Sequence, residues 1–112
     1  MSTDSATILR QLKIKTGATK RLFKEHKSYV LEEEQQKLKL DKFVADGAEE
    51  WDIKNARKML EESGKMVNDL AGKLGASVQD LRQLVAAAEH DESIAKNEEV
   101  IKAGEVLEEV SV

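Results

Sequence analysis

The chain has 112 residues, enough for one domain with a modest core. It carries 36% charged residues, 4% aromatics, no proline, no cysteine and a formal net charge of −4. This composition belongs to long helices and coiled coils; it excludes disulfides and thiolate metal sites and leaves no apolar run near membrane-spanning length, the longest being residues 84–88.

The first predicted helix covers about residues 5–44. Its apolar side chains, Ile8, Leu9, Leu12, Leu22, Phe23, Tyr29, Val30, Leu40, Phe43 and Val44, follow three- and four-residue spacing. Thr16, Thr19 and Glu33 interrupt that stripe, and Gly17 costs a helix interior about 1 kcal/mol against alanine. Residues 45–48 form the clearest break, where Gly47 suits a left-handed helix cap.

Asp52 fits the N-cap of a second helix over about residues 52–89. Here the pattern is strongest. Ile53, Ala56, Leu60, Ser63, Val67, Leu70, Leu74, Ser77, Leu81, Leu84 and Ala88 fall at alternating three and four residues, and only two small serines break the apolar row. The mean period of about 3.5 residues is that of a seam facing other helices. Such a helix is roughly 54 Å long at about 1.5 Å per residue and cannot bury its stripe alone. Ala71, Val78 and Val85 widen the stripe on one side in the C-terminal half, Met59 and Met66 on the other side in the N-terminal half. Gly64, Gly72 and Gly75 lie off the seam and should loosen the helix without splitting it.

Residues 90–93 form a second break, with Asp91 or Ser93 as candidate cap. A third helix covers about residues 94–109, with Ile94, Val100, Ile101, Ala103, Val106, Leu107 and Val110 as its apolar residues. The expected architecture is all-α: one domain over residues 1–112, an elongated antiparallel three-helix bundle with two long helices and a shorter C-terminal one. The third helix covers only the end that holds the start of helix one and the end of helix two. Charge agrees with this. Residues 1–27 carry +5 and residues 89–112 carry −6, so the acidic third helix belongs beside the basic start of the first.

No catalytic constellation is present. His26 and His90 lack metal-site spacing, Gly72 and Gly75 form a GxxG with no strand before it, and the Glu32–Glu34 and Glu49–Glu50 runs read as solvated faces. The basic N-terminal stretch lacks the exposed aromatics of a nucleic-acid surface, and the same helix must pack on helix two, which disfavours a membrane surface. Residues 1–5 show no basic or apolar signal region, so no secretory signal is expected.

Leu12-Lys13-Ile14-Lys15-Thr16-Gly17, Lys20-Arg21-Leu22, Lys24-Glu25 and Tyr29 resemble the opening of the tubulin-specific chaperone A (tubulin-folding cofactor A) family. The resemblance continues through Asp46-Gly47, Trp51-Asp52-Ile53-Lys54, Leu60-Glu61-Glu62-Ser63, Met66, Asp69, Leu74, Asp80-Leu81 and Leu84, about residues 10–88 in all. It implies a three-helix protein, not an enzyme, that captures β-tubulin folding intermediates released by the cytosolic chaperonin and passes them on for heterodimer assembly. It further implies no nucleotide, metal or other cofactor. The implied setting is cytoplasmic and microtubule-associated, with other tubulin-folding cofactors as further partners. Where the family often has a proline that kinks helix two, this chain has Val67-Asn68-Asp69, so a straighter helix is expected.

Two surfaces are candidates for capture. One is the polar face of helix one: Lys13, Lys15, Lys20, Arg21, Lys24 and Glu25. The other is the end that helix three leaves uncovered, with Tyr29, Val30, Phe43, Trp51, Met59 and Met66. The alternative function is a structural coiled-coil module that self-associates through the same end, so a monomer is expected and a homodimer is the competing state.

Overall fold

The computed structural model describes residues 4–111; residues 1–3, part of the stretch read for a secretory signal, and residue 112 lie outside the described residues. It contains three helices, α1 (Ser5–Ala45), α2 (Glu50–Glu89) and α3 (Glu98–Val110), and no strand among the described residues.

Helix α1 begins where Asp4 accepts from the Thr7 backbone N–H through Oδ1 at 2.7 Å and from Ile8 N through its carbonyl at 3.1 Å. These are the donors that a helix start leaves orphaned. It ends in a Schellman closure: Ala48 N donates to the Phe43 carbonyl at 3.0 Å and Gly47 N to the Val44 carbonyl at 3.2 Å. Gly47 has φ 67°, the left-handed conformation expected there.

The start of α2 corrects the sequence reading. Asp52 is not the cap; the helix begins at Glu50, and the Glu49 carbonyl accepts from Ile53 N at 3.1 Å. Because the Glu49 carbonyl already accepts a helical bond, Asp52 lies past the capping position. Asp52 and Glu50 instead lie in the first turn, where carboxylates favour the positive end of the helix dipole. From there α2 runs unbroken through Gly64, Asn68, Gly72 and Gly75 to Glu89.

The third helix also starts later than expected, at Glu98 rather than near Ile94. Its cap is Asn97, whose side chain accepts from Glu99 N at 2.9 Å. Asp91 and Ser93, the expected caps, serve the link instead. Asp91 accepts from Ser93 N at 3.0 Å and Ser93 Oγ at 2.6 Å, and its carbonyl takes Ile94 N and Ala95 N. A carboxylate that captures nearby donors makes a turn in place of a helix start.

The described chain packs as two compact units. The first comprises residues 4–23 and 73–111. Its core is Ile8, Leu12, Leu81, Ala88, Ile94, Val100, Ala103 and Val106, flanked by Leu9, Leu84, Val85, Leu107 and Val110. Thus α3 lies against the start of α1 and the end of α2, as expected. Leu12 and Leu81 are fully buried, each worth about 1.5–3 kcal/mol of transfer free energy. Three contacts fix an antiparallel register here. Ser5 Oγ donates to Asp91 Oδ2 at 2.6 Å, Lys15 pairs with Asp80 at 3.4 Å, and Thr19 Oγ1 hydrogen-bonds Ser77 Oγ at 2.7 Å. That last pair is buried, which explains one serine in the seam: each hydroxyl satisfies the other.

The second unit, Lys24–Gly72, contains no α3 residue. Only Ala56, Ser63 and Leu70 are buried; Tyr29, Val30, Leu40, Phe43, Ile53, Leu60 and Val67 are half-buried. Ser63, the other serine of the row, donates to the Met59 carbonyl at 3.1 Å. At Gly64 the Glu33 carboxylate lies close over the helix: a Cβ there would stand 2.9 Å from Glu33 Oε2. All eleven seam positions of α2 are buried or half-buried, none exposed.

Two measurements test this account. Leu81→Ala should lower unfolding free energy by about 2–5 kcal/mol in denaturant melts, the range for a leucine removed from a closed core; a loss below about 0.5 kcal/mol would refute the packing. Hydrogen bonds from Ser5 Oγ first, then from Ser93, hold the Asp91 carboxyl below the usual carboxylate range. A depressed folded-state pKa adds stability that is present above the unfolded value of about 3.9 and lost as pH falls through the folded value. Asp91→Asn should therefore flatten the acid side of the stability profile, below about pH 4, and an unchanged slope there would show that this carboxylate does not contribute.

Candidate functional site

The candidate residues divide among distinct local environments. In the first unit, Lys13, Lys20 and Arg21 are exposed on α1, with Lys13 and Lys20 seven residues apart on one strip of the helix. Lys15 is half-buried and its ammonium pairs with Asp80 of α2 at 3.4 Å, which makes it less available to a partner. This pair borders a cavity of about 400 Å³ lined by Gln11, Ile14, Lys15, Asp80, Gln83 and Leu84. Ile14 beside it is 64% exposed, an apolar residue inside the basic strip. The sequence reading did not single it out because it stands two residues off the seam position Leu12.

In the second unit, Lys24 and Glu25 are exposed on α1. Tyr29, Met59 and Met66 come together: with Glu32, Glu62 and Ser63 they line a cavity of about 170 Å³. Tyr29 is half-buried, while Met59 and Met66 are exposed by 39% and 38%. The seam spacing brings them together, because both methionines flank seam positions of α2 on the same side and Tyr29 sits on the facing stripe of α1. Flexible thioethers over an aromatic ring make a floor that fits varied apolar side chains.

Trp51 does not join that group. It is 71% exposed in the first turn of α2 and lines a separate cavity of about 230 Å³ with Lys54, Asn55 and Lys58. Val30 and Phe43 are half-buried packing residues, and Lys39 Nζ stands 5.6 Å from the Phe43 ring centroid, a cation–π distance. Two further exposed residues escaped the sequence reading: Leu31 and Leu38, 56% and 69% exposed and seven residues apart. That spacing was the available signal, a short apolar strip on the side of α1 away from its seam.

Among the described residues no group of three His, Asp or Glu side chains can hold a metal ion, and no helix is long and apolar enough to cross a membrane. His26 is half-buried on the α1 stripe and His90 is exposed.

Comparison with known proteins finds relatives along most of the chain. The family model described as "Tubulin binding cofactor A" matches residues 7–107. Tubulin-specific chaperone A of Homo sapiens is 38% identical over 104 residues, covering 93% of this chain and 94% of that protein. Tubulin-folding cofactor A of Arabidopsis thaliana is 36% identical over 81 residues, 72% of each chain. Among solved structures, human tubulin chaperone cofactor a superposes with a TM-score of 0.80 at 36% identity, covering 94% of this chain and 99% of that one. The crystal structure of tubulin folding cofactor A from Arabidopsis thaliana gives 0.85 at 30% identity, covering 95% and 97%. With a family model over residues 7–107 and a relative 38% identical over 93% of the chain, this chain belongs to the tubulin binding cofactor A family.

Proposed function

We propose that this chain is a tubulin-folding cofactor. It binds β-tubulin folding intermediates released from the cytosolic chaperonin, holds them, and passes them on for assembly of the α/β heterodimer. The observation that carries this reading is the family match over residues 7–107, which takes in all of α2 and nearly all of α1 and α3. Its setting is the cytoplasm and its further partners are other tubulin-folding cofactors. It acts by binding and not by catalysis.

The site proposed for capture has two parts. In the first unit Lys13, Lys20 and Arg21 offer exposed charge on α1 to an acidic client, beside the Lys15–Asp80 pair; in the second, Lys24 and Glu25 are exposed on α1. Charge docking of this kind sets encounter and orientation and is screened by salt. Tyr29, Met59 and Met66 offer an adaptable apolar floor, and Trp51 offers an exposed indole. A folding intermediate presents apolar surface that the finished heterodimer buries, so an adaptable floor suits it better than a rigid pocket.

Mixed with a β-tubulin folding intermediate, the chain should co-elute on a sizing column, and it should sediment alone as a monomer. Absence of co-elution would overturn the reading, and a dimer at micromolar concentration would favour self-association through the same faces. Replacing Lys20 and Arg21 together by Glu should leave helicity unchanged and weaken capture about tenfold, about 1.4 kcal/mol. The deficit should shrink at high salt, and capture at wild-type affinity would remove this strip from the site.

A further inference from the structure

Trp51 is the only tryptophan of the chain, and it is 71% exposed. Its neighbours are chemically selective. Lys54, Asn55 and Lys58 follow it at three, four and seven residues, one face of two successive helical turns, and the four side chains line one cavity of about 230 Å³. Lys54 and Lys58 are exposed, and no acid lies on this face between residues 51 and 58. Lys54 also borders an adjoining cavity of about 530 Å³ with Arg57, Ala48, Ile53 and Glu50. Acids close the strip at both ends: Glu49 and Glu50 before the indole, Glu61 and Glu62 after Lys58.

We propose that the Trp51–Lys54–Lys58 face is a docking site for a short acidic segment of a partner protein, one apolar side chain lying on the indole and two carboxylates on the ammonium groups. The inference rests on the proposed function only in taking that segment to belong to the client. The spacing sets the segment's pattern. Lys54 and Lys58 stand about 6 Å apart along the axis, four residues at about 1.5 Å each. Same-side residues of an extended chain repeat at about 6.6 Å. An alternating order of apolar, spacer, acid, spacer and acid spans about 13 Å against about 10.5 Å from Trp51 to Lys58, a difference that the flexible lysine stems take up. The flanking acids limit the footprint to two helical turns, about 10 Å, and repel a longer polyanion. This favours a short peptide over nucleic acid, which carries a charge about every 1.7 Å of its axis.

Trp51 itself reports the event. Excited selectively, the intact chain titrated with the peptide Gly-Phe-Gly-Glu-Gly-Glu-Gly should show a saturable blue shift that high salt weakens. Lys54→Gln together with Lys58→Gln, two exposed changes, should weaken the fit about tenfold at unchanged melting temperature, as expected for lost charge pairs. Should that variant fail to fold, Trp51→Ala followed by titration calorimetry must show a similar loss. No saturable shift, equal affinity for the peptide with Lys in place of Glu, or tighter binding of an oligothymidylate would overturn the proposal. Capture of β-tubulin is read separately. If wild-type capture fails while the peptide binds, the proposed function falls and the docking face stands. If capture is unchanged in the Lys54→Gln/Lys58→Gln variant, the face is not used by the client and this inference falls.

Discussion

The length of α3 governs the rest of the structure. Helices α1 and α2 span 41 and 40 residues, while α3 has 13 and belongs to the first unit. There it closes a core whose largest members, Leu12 and Leu81, lose all contact with water. The second unit has two helices alone, and a helix with one neighbour buries one stripe. Apart from Leu70, its aromatics and long aliphatics therefore stay half-buried or exposed. The hydrophobic effect is satisfied in one unit and left partly unspent in the other, where Tyr29, Met59 and Met66 line one cavity and Trp51 stands exposed at another.

Polar groups are placed with the same economy. Each of the two serines of the α2 seam finds a partner, Ser77 on Thr19 and Ser63 on the Met59 carbonyl. Within the first unit the link ahead of α3 is bound to the start of α1 through Ser5, Asp91 and Ser93. The first turn of α1 is thus tied to the chain that positions α3. The charge asymmetry between the chain's ends is consistent with this placement. The ion pair described between elements in that unit, Lys15–Asp80, nevertheless joins α1 to α2 rather than to α3.

Much of this was legible in the sequence. The unbroken alternation from Ile53 to Ala88 gave α2 and its inward face, since only a helix places those residues on one side. Gly47 marked the turn because a residue without Cβ takes positive φ at little cost. Of the flanking residues Ala71, Val78 and Val85, set against Met59 and Met66, Val85 does pack on the core that α3 closes, whereas Ala71 is exposed and lies in the second unit. The two caps were misread for a common reason. Asp52, Asp91 and Ser93 all have capping chemistry, but which backbone donors such a side chain meets depends on how the link folds, and links are fixed by the helices they join. The candidate site was legible residue by residue and not as a grouping. Lys15 reads like its neighbours in the basic stretch until Asp80 is seen beside it, and Trp51 reads like Tyr29 until the two line different cavities.

By itself, the sequence determined the all-α class, the order and faces of the helices, and the family resemblance. Periodicity and short motifs are properties of neighbours along the chain and need no knowledge of distant contacts. Tertiary structure decided which apolar residues remain open, which bases are spent on internal pairs, and where the links yield to helix. Burial and pairing depend on what lies across the gap between helices, and that is set by packing residues as far apart in the chain as Ser5 and Asp91.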